Sequence, residues 1–514
     1  MAGSAYYEPD IPAAAGGILE KVVNPVARIT IDLNRPVGII SPHIYGHFTE
    51  HIGGVIYDGI WVGEDSVIPN IGGIRSDLVE HLRRIRPPVI RWPGGCFADR
   101  YHWQDGIGPR EKRPRRYGRW NDVTEPNLFG THEFIHFCRL VDAVPYFAAN
   151  VGTGSPEEFQ QWIEYCNAPA GSTTLADMRA ENGSQEPLGV RFWGVGNELW
   201  GCGGNFTPED YADHYRRFTT WLPKYGVPLY SIACGPSGDD REWSLRFFQQ
   251  YRRAHPTGID GWSVHYYCGS AGGAVDFSEA DWYELLRKGC RMEDIIRGQW
   301  EVVAEFDPEH KMKLIIDEWG AWHPPGTEIN PRHTYEQMST MRDALIAALT
   351  LDIFNRHADK VFMANIAQMV NNLHSLFLAD EDRFVATPNF HVFEMYAPHQ
   401  GAQAIQTEWD VPNVEGLPAL IGSASLKDKC LVLTATNLHA TEPMEAEIRL
   451  SGARIREARQ TVLSHTDIHA HNTFQRPAEV MPVASEVSLR GDTPVFTFPP
   501  ASVVRLDLSC SSVT

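Results

Sequence analysis

The chain has 514 residues, which is enough to bury a large core and predicts two or three domains, or one large barrel with a smaller companion. Its 65 acidic residues outnumber the 45 Lys and Arg, and the net charge of −20 argues against nucleic acid or an anionic membrane as a partner. The nine cysteines are scattered singly, so we expect neither a disulfide framework nor a zinc site, and a reducing compartment is the simpler location.

The first forty residues or so contain two kinds of sequence. Residues 1–25 are rich in Ala, Gly and Pro and predict a loose N-terminal arm without the segments of a secretion signal. The alternation from Arg28 to Leu33 predicts a half-buried strand within residues 26–40. The longest apolar stretch, Leu345 to Phe354, is too short for a membrane span, so we expect a cytoplasmic protein with no membrane contact.

Residues 41–390 repeat one pattern: a short β-branched or aromatic run, a loop with Gly, and a stretch with apolar residues three and four apart. Eight such units favour a (β/α)8 TIM barrel over an open doubly wound sheet, whose strands more often precede a phosphate-binding loop. The predicted barrel strands are Ile44–Phe48, Val89–Trp92, Pro145–Asn150, Val190–Val195, Leu229–Ala233, Gly261–Tyr266, Leu314–Asp317 and Val361–Ala367.

The C-terminal part, residues 391–514, consists of short alternating runs. These predict an antiparallel β-sandwich of the jelly-roll kind, with strands near Cys430–Thr436, Glu445–Leu450, Val495–Phe498 and Ser502–Leu508. We expect the strand in residues 26–40 to join this domain, because a barrel has no place for a strand outside its ring and an exposed edge would aggregate.

Two glutamates follow predicted barrel strands. Glu198 comes after strand four, among glycines and tryptophans, and Glu318 comes after strand seven, before Trp319 and Gly320. Reactive groups of such barrels lie at the carboxyl ends of the strands, where aromatic surroundings can raise the pKa of a carboxyl group and keep it protonated near neutral pH. We therefore predict that Glu198 and Glu318 form a glycosidase pair. Other candidate functional residues at strand ends are Glu50, Cys96, Tyr267 and Gln368.

Three further patterns have competing interpretations. His43, His47 and His51 recur every four residues and could suggest a metal hydrolase, but they straddle a predicted strand and its loop, which favours packing or hydrogen bonding. The segment 152–154 lacks the third glycine of a dinucleotide fingerprint, so nucleotide binding is discounted. The basic loop 110–116 is expected to be solvated or to contact another subunit rather than an acidic partner. We expect no cofactor and no metal.

Five motifs resemble those of the α-L-arabinofuranosidases of glycoside hydrolase family 51, in the same order and over nearly the whole chain. They are Ile44-Tyr45-Gly46-His47-Phe48-Thr49-Glu50-His51, Arg91-Trp92-Pro93-Gly94-Gly95-Cys96-Phe97, Gly196-Asn197-Glu198, His265-Tyr266-Tyr267 and Asp317-Glu318-Trp319-Gly320. The resemblance implies a barrel with a β-sandwich and a retaining enzyme that removes terminal non-reducing α-L-arabinofuranosyl groups. Its partners would be oligosaccharides of the arabinan or arabinoxylan type, and it would be an intracellular homo-oligomer, a hexamer in the family.

By position, the resemblance implies that Glu198 is the general acid/base and Glu318 the nucleophile. Asn197 would hydrogen-bond the sugar 2-hydroxyl, and Arg91 would orient carboxylates from behind by a bidentate contact, although a structural role is favoured for Arg91 and equally open for Cys96. The furanose would be bound by Glu50, Cys96, Tyr267 and Gln368. Many family members carry Asn at the position of Cys96 and some carry Gln at that of Tyr266, and these departures concern fine specificity.

Two other functions stay open at this level. The same carboxylate pair serves many sugars, so a related barrel enzyme with xylosidase or endoglucanase specificity is one alternative. The other is a carbohydrate-binding protein with a degenerate barrel that stacks sugars without cutting them, which the aromatic content, with 15 Trp residues, would suit. Turnover of an aryl arabinofuranoside would separate these possibilities.

Overall fold

The computed structural model describes residues 27–118, 120, 123–489 and 493–512, so the predicted arm at residues 1–25 lies outside the described residues. Eight parallel strands close into a barrel in which neighbours along the chain are neighbours in space. The barrel strands are Gly46–Phe48, Val89–Trp92, Val144–Ala149, Phe192–Val195, Tyr230–Ala233, Gly261–Gly269, Lys313–Trp322 and Val361–Ala367. The predicted (β/α)8 barrel is confirmed.

The helices of the described residues pack outside the barrel or against the β domain. Several begin at a side-chain cap: Ser155 accepts a hydrogen bond from the backbone N of Glu158, and Thr207 accepts one from the backbone N of Asp210. The α-helices are Ser76–Ile85, Thr131–Leu140, Pro156–Asn167, Thr174–Glu181, Pro208–Thr219, Arg241–Tyr251, Glu279–Cys290, Met292–Phe306, Met341–Arg356 and Pro388–Tyr396.

Three barrel strands differ from their predicted bounds in ways that matter for the site. The first strand begins only at Gly46, because the preceding residues form the 3-10 turn Pro42–Tyr45, which Pro42 starts. The sixth and seventh strands run on to Gly269 and Trp322 and stay paired to their ends, with one register shift between Val264 and His265. Residues that the sequence places in loops after these strands therefore lie within rigid strands.

The second domain is a nine-stranded sheet with an apolar core of its own. Its strands are Ala27–Ile39, Gln403–Asp410, Leu420–Lys427, Cys430–Asn437, Met444–Ser451, Ala453–Ser464, Val483–Val487, Val495–Phe498 and Ser502–Ser512. The N-terminal strand joins this domain: it pairs antiparallel with Gln403–Asp410 and parallel with Met444–Ser451, so the antiparallel domain contains one parallel pairing. The boundary predicted at residue 390 stays a prediction, and that residue lies within the helix Pro388–Tyr396.

The long apolar stretch belongs to the helix Met341–Arg356, which is buried between the barrel and the β domain. On the β-domain side, Asp352 accepts hydrogen bonds from the hydroxyls of Ser423 and Thr434 at 2.7 and 2.6 Å. On the barrel side, Asp343 Oδ1 lies 2.8 Å from Nε2 of His323, which directly follows the seventh strand. This helix thus fixes both domains and the end of the strand that carries Glu318. Among the described residues, no helix combines the length and the hydropathy needed to cross a bilayer.

Candidate active site

The carboxyl ends of the barrel strands form a pocket around two glutamates. Glu318 lies within the seventh strand, and Glu198 lies just beyond the end of the fourth strand. The chain turns sharply before Glu198, since Gly196 and Glu198 have φ values of +89° and +41°. A carboxylate oxygen of Glu198, one of Glu318 and a ring nitrogen of His265 all lie within 4.8 Å of one another. The structure therefore brings together two glutamates that are far apart in the sequence.

Glu318 is buried, and both of its oxygens are hydrogen-bonded. Arg91 Nη1 donates to Oε1 and the Tyr267 hydroxyl donates to Oε2, each at 2.8 Å. Burial alone would raise the pKa of Glu318, but the charges of His265 and Arg91 and the hydrogen bonds from Arg91 and Tyr267 together lower it. The carboxyl group is therefore ionised at neutral pH, which is the state that a nucleophile requires.

Arg91 is fully buried and joins three acceptor groups behind the pocket. Besides the bond to Glu318, Nη2 donates to Asn197 Oδ1 at 2.6 Å, and Nε lies 3.6 Å from Asp317 Oδ2. The guanidinium group thus spans two carboxylates and an amide, whereas the expectation was a bidentate contact with carboxylate. Arg91 consequently fixes Glu318 and Asn197 relative to each other.

His265, in the sixth strand, stands between the two glutamates. Its Nδ1 lies 3.1 Å from Glu198 Oε1 and 3.6 Å from Glu318 Oε2. Burial lowers the pKa of His265, but the charge of Glu318 and the charge and hydrogen bond of Glu198 outweigh burial and raise that pKa above its usual value. A positive charge at this position reduces the repulsion between the two carboxylates.

Glu50 and Gln368 lie beside Glu318 in the same pocket. Glu50 Oε1 accepts from the backbone N of Phe97 at 2.9 Å, and Oε2 accepts from Gln368 Nε2 at 3.4 Å. Burial and the charge of Glu318 raise the pKa of Glu50 to about 7. A Cβ at Gly95 would lie 3.1 Å from Glu318 Oε1 and 3.2 Å from Glu50 Oε2, so the glycine keeps the space between these carboxyl groups open.

A disulfide bond lies next to Oε2 of Glu198, the carboxylate oxygen that does not contact His265. Cys96, after the second strand, is bonded to Cys202, after the fourth. Cys202 Sγ lies 3.4 Å and Cys96 Sγ 4.0 Å from Glu198 Oε2. The expectation that no disulfide is present is wrong for this pair, because the two loops meet only when the barrel closes. In this state Cys96 has no thiol proton to donate to a sugar.

Asn197 is oriented by a buried aspartate as well as by Arg91. Its backbone N donates to Asp99 Oδ2 at 3.0 Å, and the backbone N of Val151 donates to Asp99 Oδ1 at 3.0 Å. Asp99 therefore ties together the segments that follow the second, third and fourth strands. Arg91 occupies the amide oxygen of Asn197, and the nitrogen of the side-chain NH2 group lies 4.0 Å from Cys202 Sγ, which leaves one of its two hydrogens for a ligand.

Comparison with known proteins agrees with this geometry. The model of the α-L-arabinofuranosidase C-terminal domain matches residues 317–502, and that of the α-L-arabinofuranosidase 1 domain matches residues 81–271. An intracellular exo-α-L-arabinofuranosidase from Bacteroides ovatus is 39% identical over 94% of this chain and 95% of its own length. The GH51 arabinofuranosidase from Xanthomonas axonopodis pv. citri is 39% identical to this chain. Its crystal structure matches with a TM-score of 0.90, and the match covers 94% of this chain and 100% of the Xanthomonas chain.

The chain belongs to the α-L-arabinofuranosidases of glycoside hydrolase family 51. An arabinose complex of the α-L-arabinofuranosidase from Thermotoga maritima is also similar to this family 51 enzyme, at 31% identity and a TM-score of 0.83 over 94% of this chain and 99% of that one. The resemblance inferred from the five motifs is therefore confirmed, and so is the assignment as a glycoside hydrolase.

The mouth of the pocket in this family 51 enzyme is aromatic. The rings of Tyr267 and Trp322 meet edge-on at 5.3 Å, and Trp322 meets Tyr335 at 5.0 Å. Trp120 continues the row, 5.8 Å from Tyr335. Aromatic side chains at the entrance of a polar pocket are suited to stacking on sugar rings.

The basic loop 110–116 lies beside a cavity of about 390 Å³ that opens next to Cys96. Arg110 and Arg113 both pair with Glu133, and Arg116 pairs with Asp105. Much of the loop's charge is thus neutralised within the chain, an arrangement that the sequence did not suggest.

The three regularly spaced histidines of the family 51 enzyme have separate environments. Burial lowers the pKa of His43 to about 4 and that of His47 to about 3. His51 Nδ1 lies 2.9 Å from Glu125 Oε2. These contacts agree with packing and hydrogen bonding. Two clusters among the described residues have the spacing of metal ligands, and neither includes these histidines; they are Cys96, Glu198 and Cys202, and Glu198, His265 and Glu318.

Four residues of the site have no role assigned by the sequence analysis: His265, Asp99, Asp317 and Cys202. Asp317 directly precedes Glu318, and His265 lies in a quoted motif, so their proximity to the pair was a usable signal. Asp99 and Cys202 carry a weaker signal, since each follows a strand by several residues in a loop whose path the sequence does not define.

Tyr266 points away from the pocket, unlike its neighbours in the sixth strand. Its hydroxyl donates to the backbone O of Lys288 at 2.7 Å, in the helix Glu279–Cys290. The alternation of side chains along a strand explains this placement. An effect of Tyr266 on specificity would therefore have to act through the position of the strand.

Proposed function

We propose that this family 51 enzyme is an exo-acting α-L-arabinofuranosidase that retains anomeric configuration. Its substrates would be terminal non-reducing α-L-arabinofuranosyl groups on oligosaccharides of the arabinan or arabinoxylan type. The observation that carries the proposal is the approach of Glu198 and Glu318 oxygens to within 4.8 Å. Retaining pairs are about 5–5.5 Å apart, whereas inverting pairs lie about 6.5–9.5 Å apart to admit a water molecule.

In the first step, an oxygen of ionised Glu318 attacks the anomeric carbon and the bond to the leaving oxygen breaks. Protonated Glu198 gives its proton to that oxygen, so the alcohol departs neutral and a covalent arabinosyl-enzyme remains. The hydrogen bonds from Arg91 and Tyr267 support the nucleophile assignment, because they hold Glu318 ionised and fixed before attack.

In the second step, Glu198 takes a proton from water, and the water oxygen attacks the anomeric carbon from the face that the leaving group vacated. The ester bond to Glu318 breaks, arabinose is released and both glutamates return to their starting states. The greater exposure of Glu198 supports this role, since an acid/base must reach both the leaving group and water. Its side chain is 18% exposed, against 6% for Glu318.

The remaining predicted residues are proposed to bind the furanose. The NH2 group of Asn197 would donate its second hydrogen to the 2-hydroxyl, a bond that strengthens as charge develops on the ring. Glu50 and Gln368 would contact hydroxyl groups on the ring, and Tyr267 would position Glu318. Cys96 would contribute surface only, as half of a disulfide.

Location and assembly are also proposals. The name of the Bacteroides ovatus relative includes the word intracellular, which supports a cytoplasmic enzyme, although the disulfide beside Glu198 is unusual in a reducing compartment. A homo-oligomer, a hexamer in the family, is supported by the family resemblance. Light scattering on the purified full chain would measure the subunit number directly.

The stereochemistry of the first-formed product tests the mechanism. We expect proton NMR to show the α anomer of arabinose appearing first from an aryl α-L-arabinofuranoside, followed by slower mutarotation. Initial release of the β anomer would overturn the retaining mechanism. Faster cleavage of aryl xylosides or cello-oligosaccharides than of the arabinofuranoside would overturn the substrate assignment.

A further inference from the structure

The disulfide of this enzyme is placed where reduction would alter the site. Cys96 and Cys202 are both half-buried, and Cys96 lines the cavity of about 390 Å³ that opens to solvent. All nine cysteines lie within the described residues, and the other seven are free thiols, of which four are buried. Small reductants and ions can therefore reach the Cys96–Cys202 pair from the cavity.

The two sulfurs and Glu198 already have the spacing of a metal site. Sγ of Cys96, Sγ of Cys202 and a carboxylate oxygen of Glu198 all lie within 4.8 Å of one another. Bonded to each other, the sulfurs are poor ligands. Two thiolates and one carboxylate, in contrast, suit a soft divalent cation such as Zn²⁺ or Cd²⁺.

Only a small movement is needed to convert the disulfide-bonded sulfurs into a pair of metal ligands. Tetrahedral coordination with Zn–S bonds of about 2.3 Å separates two sulfurs by roughly 3.8 Å. Cys202 lies in a loop that also contains Gly201, Gly203 and Gly204, and glycines allow such a loop to adjust. On its other oxygen, Glu198 remains close to His265, so the carboxylate can bridge toward the cation without leaving the pocket.

We propose that reduction of the Cys96–Cys202 bond creates a site for one soft divalent cation, formed by Cys96, Cys202 and Glu198. A dithiol reductant supplies two electrons and two protons: the S–S bond breaks, two thiols form, and the reductant becomes a cyclic disulfide. Binding of the cation then releases both thiol protons, with the thiolates and the Glu198 carboxylate as ligands.

Regulation of activity follows from this site and rests on the proposed role of Glu198 as acid/base. A cation on Glu198 Oε2 prevents the carboxyl group from carrying the proton that the leaving oxygen needs. The disulfide removes two of the three ligands and so keeps Glu198 available. The reduced enzyme is therefore inhibited by soft cations, and the oxidised enzyme resists them.

Direct cation binding tests the site without reference to activity. The full-length enzyme, reduced with a dithiol and freed of reductant under anaerobic conditions, is titrated with CdCl2 while the ultraviolet cadmium–thiolate absorption is followed. We expect one tight equivalent for the reduced enzyme and none for the oxidised enzyme. Cys202→Ser should weaken binding by at least about tenfold. The triple variant C290S/C430S/C510S, which removes the three other accessible thiols, serves as the matched control and should bind as the wild type does.

The proposal is overturned if the reduced wild type binds no cadmium with thiolate absorption, or if Cys202→Ser binds as tightly as the wild type. A parallel assay compares inhibition of the reduced and oxidised enzymes by CdCl2, and equal inhibition of both would refute the regulatory part. A failure of the proposed catalytic mechanism would be distinguishable from a failure of the cation site. If Glu198→Ala retains full hydrolysis while the reduced wild type binds cadmium with thiolate absorption, the acid/base role is wrong and the cation site stands.

Discussion

Glu318 and Glu198 meet in one pocket, but the surrounding structure holds them in different ways. Glu318 lies inside a long paired strand, with both oxygens hydrogen-bonded by Arg91 and Tyr267. Glu198 lies in a tight turn beyond its strand, between His265 and the disulfide, with three times the side-chain exposure. One carboxylate is fixed before the substrate arrives, while the other stays partly exposed.

This difference matches what the two proposed steps require. A nucleophile must stay ionised and aligned, which buried cationic partners provide. An acid/base must exchange a proton with a leaving group and then with water, which a rigid and fully paired carboxylate could not do. The asymmetry of the surroundings therefore favours Glu318 as nucleophile and Glu198 as acid/base over the reverse assignment.

The largest expected effect comes from Glu318→Ala. Loss of the nucleophile should reduce kcat on aryl α-L-arabinofuranosides by at least about 10⁴-fold, because no covalent intermediate can form. Circular dichroism and the unfolding midpoint should show that the barrel persists. A folded Glu318→Ala variant with wild-type turnover would contradict the assignment.

Glu198→Ala should have a smaller effect that depends on the leaving group. Substrates with a good leaving group need little protonation, so the first step persists and the arabinosyl-enzyme accumulates, whereas hydrolysis of poor leaving groups falls by about 10²–10⁴-fold. Added azide should restore turnover of activated substrates and yield the α-arabinosyl azide. Restoration by azide with the β product would instead mean that the roles of Glu198 and Glu318 are reversed.

Much of this arrangement could be predicted from the sequence, because it depends on local patterns. Short β-branched runs separated by helical periodicity indicate barrel strands, and the carboxyl ends of parallel strands necessarily meet at one face. Glu318 follows such a run directly, and Glu198 follows one after two residues. Their convergence therefore required only the correct strands and the correct fold.

The contacts around the pair depend on distances between loops, which local patterns do not contain. Cys96 and Cys202 are separated by 106 residues, and nothing in either neighbourhood indicates that they meet. His265 and Tyr266 are adjacent in one strand, yet only His265 faces the glutamates, because the pleat sends alternate side chains to opposite faces. Which of the two faces points into the pocket depends on how the barrel closes.

His265→Gln should have an intermediate effect and would sharpen the contrast between the two glutamates. The charge of His265 contributes to the lowered pKa of Glu318, so its removal should raise that pKa and move the acidic limb of the kcat/KM profile upward by about one pH unit. We also expect kcat to fall about tenfold. The exposed His255→Gln provides the matched control, and an unshifted acidic limb in His265→Gln would mean that His265 does not act on Glu318 electrostatically.

The smallest expected effect concerns the segment that follows the strand of Glu318. His333, in this segment, is buried between Asp58 Oδ2 at 3.3 Å and Glu336 Oε2 at 3.1 Å. Burial lowers the pKa of His333, but these two carboxylates outweigh burial and raise it to about 9. A raised folded-state pKa stabilises the protein fully below the unfolded pKa near 6.5, and this stabilisation is lost as the pH rises through 9.

We therefore expect the free energy of unfolding of the wild type, measured with urea, to fall by about 1 kcal/mol between pH 6.5 and 9.5, after allowance for the exposure of Asp58. His333→Gln should lack this pH-dependent part, and His255→Gln should retain it. Because Glu318 is fixed by its own strand and by Arg91, we expect that the segment containing His333 does not hold it in place. A loss of kcat in His333→Gln as large as that in His265→Gln would therefore show that the segment also holds Glu318 in place.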